Sequence, residues 1–86
     1  MQYFSSSKFD KKFSKLPEKI KNQCIEKMEV FVENPYNSSL NNHALHGRYL
    51  GYRSINISGD FKAIYKTQAN NVALFADIDN HENLYK

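Results

Sequence analysis

The tightest constraint in this chain is a turn between two strand-like runs. Arg53 to Ile57 and Phe61 to Tyr65 are rich in β-branched and aromatic residues and are joined by Ser58, Gly59 and Asp60, which reads as a β-hairpin. Register then fixes the two faces, because a slip of one residue turns a whole strand over. A two-residue loop at Gly59-Asp60 would set Asn56 against Ala63 and mix isoleucine with lysine on each face. A three-residue loop from Ser58 to Asp60, with Gly59 at positive φ, pairs Ile57 with Phe61, Ile55 with Ala63 and Arg53 with Tyr65. One face is then apolar. The other carries Tyr52, Ser54, Asn56, Lys62, Ile64 and Lys66, with Asn56 directly across from Lys62. A sheet dry on one side and wet on the other is what a lone antiparallel meander needs.

The remaining elements must supply the cover for the dry side. A third strand-like run, Val72 to Ala76, follows an Asn70-Asn71 turn. Upstream, Phe9, Phe13 and Leu16 recur at helical spacing, with Ser7 and Asp10 as the expected capping pair. Pro17 suits a first helical turn and no helix interior, so a second helix is expected to begin there. Its stripe is Ile20, Cys24, Met28 and Phe31, widened by Ile25 and Val32, and Asn34-Pro35 ends it. Met1 to Phe4 is an edge strand or a tether. The fold class expected is α+β: two N-terminal helices packed on one face of a small antiparallel sheet of three or four strands, as one domain over residues 1–86. The Asn56/Lys62 face is expected to stay uncovered.

Composition narrows the functional classes. Eighty-six residues allow one modest core, burying roughly 60 to 65% of the unfolded surface. No apolar run approaches the roughly 20 residues of a transmembrane helix, and Met1 leads into serines and charges, so neither a membrane partner nor a secretory leader is expected. The single cysteine, Cys24, fits a reducing cytoplasm. A net charge of +3 is a mild pull toward polyanions.

Three histidines invite a metal reading, but the composition argues against it. His43 and His46 are three apart, which in extended chain sends them to opposite sides, and Cys24 belongs to a helix stripe. No cofactor and no metal is expected. Hydrolase elbows and phosphate-binding glycine loops are absent as well. What remains is His43 before the meander, Asp60 at the hairpin tip, and His81 with Tyr85 near the C-terminus. Imidazoles suit proton transfer at neutral pH, and cleavage of RNA by its own 2′-hydroxyl needs one group to accept and one to donate. It also needs cations on the phosphate, for which Lys62, Arg53 and Arg48 are candidates with Asn56 beside them, and a ring to stack a base, for which Tyr85 or Tyr52 would serve.

These residues lie within a longer pattern. Phe-x-x-x-Phe-x-x-Leu-Pro near the start, a helix ending at Asn34-Pro35, His43-x-Leu45-x-Gly47, Gly51-Tyr52-Arg53, Asp60 before an aromatic, Ile64-Tyr65 and His81-x-x-Leu84-Tyr85 follow in that order. In order, spacing and length the chain resembles the RelE/ParE superfamily of bacterial toxin-antitoxin toxins, and within it the YafQ-like mRNA endoribonucleases. The resemblance implies two helices on an antiparallel sheet, entry into the ribosomal A site to cut mRNA, and inhibition by a cognate acidic antitoxin. It makes His43, Asp60, His81 and Tyr85 the catalytic set: His81 the general acid, His43 or Asp60, the aspartate after the hairpin turn, the base or orienter, and Tyr85 the aromatic that packs on the target nucleotide. Three positions depart from the branch. Asn56 replaces a histidine and cannot shuttle protons, Asp77 stands where an arginine is common, and Lys62 keeps charge without an arginine's bidentate fork.

Two rivals share the fold. A ParE-like toxin would inhibit DNA gyrase, but such chains generally lack the paired His-x-Leu-x-Gly and His-x-x-Leu-aromatic motifs. A catalytically decayed binding module would act without either histidine. The expected partners are therefore mRNA, the ribosome and an acidic, partly disordered antitoxin.

Overall fold

The computed structural model describes residues 1–85. Its first helix starts where a side chain supplies the missing acceptor. Ser6 is extended, its Oγ accepts the Phe9 amide at 3.1 Å, and the same hydroxyl donates to the Ala76 carbonyl at 2.9 Å. Helix α1 is Ser7–Ser14. The cap is thus Ser6 and not Ser7, and Asp10 accepts from Ser5 Oγ instead. Helix α2, Glu18–Glu33, follows Pro17 and stops at Asn34, whose extended backbone precedes Pro35.

Five strands form one sheet: β1 (Gln2–Ser5), β2 (His43–Ala44), β3 (Arg53–Ser58), β4 (Phe61–Ala69) and β5 (Val72–Asn80), in the order β1-β5-β4-β3-β2. The sheet is mixed, against the expectation of three or four antiparallel strands. β1 lies parallel to β5, from Gln2 opposite Val72 to Ser5 opposite Phe75. A parallel pair requires a long crossover, and here both helices and the meander lie within it.

The hairpin holds the expected pairs Arg53 with Tyr65, Ile55 with Ala63 and Asn56 with Lys62, but its turn differs. Ser58 pairs with Phe61 across a two-residue Gly59-Asp60 turn, and a bulge at Ile57 absorbs the odd residue. The bulge reconciles the short turn with a buried Ile57.

On the dry side Phe31 of α2 meets Tyr65 and Phe75 edge-on at centroid distances of 4.9 and 5.1 Å, with Cys24, Met28, Ile55, Ile57 and Ile78 around them. Ile25 and Val32 do not widen the stripe. They remain 50% and 41% exposed, each one residue past a buried position and so rotated away from the sheet. The opposite face is not left uncovered, as the alternation alone implied. Leu45, Ile64 and Leu84 form a second, small cluster, flanked by Tyr49 and Tyr52. Ile64 and Ser54, placed on the wet face by register, are both fully buried by it. Among the described residues no helix is long and apolar enough to cross a membrane.

Candidate active site

The small cluster matters because it seats the last helix, α3, His81–Leu84. Asn80 caps α3 by accepting the Asn83 amide at 2.8 Å, and the His81 amide donates to the Asp60 carbonyl at 2.9 Å. At the other end of α3 the Leu84 carbonyl accepts from Arg48 Nη2 at 2.8 Å and from the Tyr49 hydroxyl at 3.1 Å. Tyr49 also meets Tyr85 edge-on at 5.8 Å. With Leu84 buried beneath, the helix is pinned at both ends, so the His81 and Tyr85 rings, 4.7 Å apart, hold a set orientation.

A cleft of about 420 Å³ opens beside these rings, lined by His43, His46, Ser54, Lys62, His81 and Tyr85 together with Ala44 and Leu45. His43 stands on β2 directly opposite Ser54 of β3. Its Nδ1 lies 2.8 Å from the Asn41 carbonyl, which can only accept. In the neutral ring the proton therefore sits on Nδ1, and Nε2 keeps its lone pair. Both His43 and His81 are exposed to solvent. Lys62 Nζ donates to Asn56 Oδ1 at 2.7 Å, so the amide steers the ammonium without lining the cleft itself.

Several expected contributors are placed elsewhere. Arg53 lies on the helix side of the sheet, where its Nε donates to Asn42 at 2.7 Å and its guanidinium lies over Tyr36. Its alternation with Ile55 dictates this. Arg48 is engaged at the end of α3, and the Asp60 side chain does not line the cleft, although its carbonyl anchors His81. Asp77 does not confront the cleft either. Its buried carboxylate pairs with Lys12 at 2.8 Å and Lys8 at 3.2 Å. Asp79 joins this network at 3.2 Å from Lys12; burial alone would raise its carboxyl, but bonds from Asn83, the Asn80 amide and Lys12 outweigh that and hold it below the usual value. Burial raises the Tyr85 phenol, countered in part by the nearby Ser54 hydroxyl, so the ring stays neutral. No hydrogen bond of acceptable geometry joins the two, and among the described residues Ser54 Oγ is buried without a partner.

Sequence reasoning passed over His46 and Ser54. The odd spacing expected to separate His43 from His46 does not keep them apart: both line the cleft, although the His46 backbone is extended. Ser54 was named only as a face residue. Among the described residues no group of three or more histidine, cysteine, aspartate or glutamate side chains is arranged to hold a metal ion. A second depression, about 290 Å³ between β1 and the helices, is mostly apolar and contains no histidine.

A family model for the bacterial toxin YafQ of type II toxin-antitoxin systems matches residues 1–86. The chain belongs to the YafQ family. Within the wider group, a protein of Methanocaldococcus jannaschii described as a candidate toxin RelE4 is 29% identical over 83 residues, covering 95% of this chain and 84% of the relative. The YafQ fold is shared with crystal structures. YafQ of E. coli strain BL21(DE3) superposes with a TM-score of 0.81 at 21% identity, covering 99% of this chain and 98% of that one. YafQ within the E. coli DinJ-YafQ toxin-antitoxin complex gives 0.73 at 20% identity, covering 99% and 97%. The protein is thus a type II toxin of the YafQ/RelE group, with helices on a five-stranded sheet.

Proposed function

We propose that this toxin is an mRNA endoribonuclease acting on the ribosome through acid-base catalysis. His43 Nε2 takes the proton of the target ribose 2′-hydroxyl, and the 2′-oxygen attacks the adjoining phosphorus. The bond to the 5′-oxygen breaks as His81 protonates that leaving atom, giving a 2′,3′-cyclic phosphate and a free 5′-hydroxyl. Lys62, held by Asn56, offsets charge on the phosphate oxygens, and Tyr85 stacks the base. The observation that carries this reading is the Asn41 carbonyl on His43 Nδ1, which leaves an acceptor nitrogen in the same cleft as His81. It favours His43 over Asp60 as base. Charge supports a partner too: a cleft whose lining among the described residues has one lysine, three histidines and no carboxylate suits an acidic antitoxin segment, and a relative of the same fold was solved with its antitoxin.

Primer extension on mRNA in a translating extract tests the assignment. Discrete cuts within codons, lost in His43→Ala and His81→Ala, are expected. Loss of plasmid supercoiling without cuts would instead indicate a gyrase inhibitor. Growth inhibition unchanged in both variants would indicate a binding module.

A further inference from the structure

The buried Ser54 hydroxyl has no role in the mechanism above, yet its position is hard to account for without one. The residue is fully shielded from solvent, its Oγ has no hydrogen-bond partner among the described residues, and it lines the cleft. A buried hydroxyl left unbonded is costly, and alanine, smaller by that one oxygen, would avoid the cost. Register places Ser54 opposite His43, so the two side chains leave adjacent strands on one face about 5 Å apart at Cβ. The Tyr85 side chain lines the same cleft. Ser54 therefore shares the cleft with the group assigned to take the 2′-hydroxyl proton and with the ring assigned to hold the base.

We infer that Ser54 is the residue by which this cleft recognises ribose, its Oγ–H donating to the 2′-oxygen of the nucleotide seated on Tyr85. With the serine donor on that oxygen, the nucleotide's own 2′-hydroxyl hydrogen is turned toward His43 Nε2. Ser54 thus positions the nucleophile and discriminates RNA from DNA. No proton is transferred by the serine, which is unchanged through the reaction. The inference rests on the ribonuclease reading of the cleft.

The test uses the intact protein and each of the four ribonucleoside 3′-monophosphates beside its 2′-deoxy counterpart, with affinities read from shifts of the His43 and His81 ring resonances. The wild type is expected to prefer the ribo form by about tenfold, the worth of one good hydrogen bond. Ser54→Ala is expected to lose that preference by weakening ribo binding alone. Its denaturant midpoint should stay the same or rise, which certifies the fold. Equal affinities in the wild type, no binding of either form, or a preference intact in Ser54→Ala would each overturn the inference. Should Ser54→Ala not fold, Ser54→Cys keeps the bulk with a weak donor and is read by the same ratio. Ribose preference carried by Ser54 in a protein that cuts no mRNA would instead sink the cleavage reading and leave this contact standing.

Discussion

The two faces of one sheet are built on different terms. Toward the helices, a dozen buried residues interlock around Phe31, Tyr65 and Phe75, and almost nothing there carries charge. Away from them, the buried apolar residues among those described are Leu45, Ile64 and Leu84, and the polar groups are fixed one by one through named bonds: Asn41 to His43, Asn56 to Lys62, Asp60 to His81, Arg48 and Tyr49 to Leu84. Packing gives the first face its stability, and directional hydrogen bonds give the second its geometry. Folding and activity should therefore respond to different substitutions.

The sharpest separation is expected at His81. Replacing it with glutamine should lower single-turnover cleavage by about 10²- to 10⁴-fold, the usual worth of a positioned proton donor. The urea midpoint should barely move, because the ring is exposed; a destabilised variant would mean that the wet face also carries the fold. The reverse case is Phe31→Ala. Loss of a fully buried ring should cost about 3–5 kcal/mol in denaturant unfolding, with cleavage per folded molecule unchanged.

Arg48→Ala is the intermediate case, since its bond to the Leu84 carbonyl is partly buried and holds the helix that begins at His81 and leads into Tyr85. About 1–2 kcal/mol of stability and about tenfold in rate should be lost together, and a salt-sensitive loss of RNA affinity would show that the arginine binds phosphate instead. The smallest effect belongs to Asp79. Its folded carboxyl lies below the ordinary value of 3.8, so its contribution is complete above that pH and is lost as pH falls through the depressed folded value. Asp79→Asn should flatten the acid limb of stability measured between about pH 2 and 5, and an unaltered limb would show that the Lys12 network is too solvated to matter.

What could be read from the chain follows the same division. Period-two alternation located the faces of β3 and β4, and helical spacing located Cys24, Met28 and Phe31, because burial imposes a rhythm. It also placed Arg53 beside Ile55, a fact that outweighs the attraction of an arginine as a phosphate ligand. The parallel partner of β1 left no trace, since four exposed residues have no alternation to read. Nor did the seat of α3, where four residues are too few for a helical stripe and the decisive bonds run between side chains and a lone carbonyl. The extra residue that the structure places in a bulge at Ile57 reads from sequence as Ser58 in a three-residue turn, because a bulge and a longer loop give the same register beyond it. Ser54 escaped notice because an unpartnered hydroxyl is a property of surroundings that no single position announces.

The parallel seam between the first strand and the fifth also governs how the chain acquires its structure. Residue 2 meets residue 72, so the opening strand has no neighbour while the ribosome is still making the middle of the molecule. Both helices must likewise wait for Tyr65 and Phe75 to emerge before their apolar stripes can be buried. Such long-range closure makes folding late and concerted. The sheet's far edge is therefore closed only after nearly the whole chain has been made.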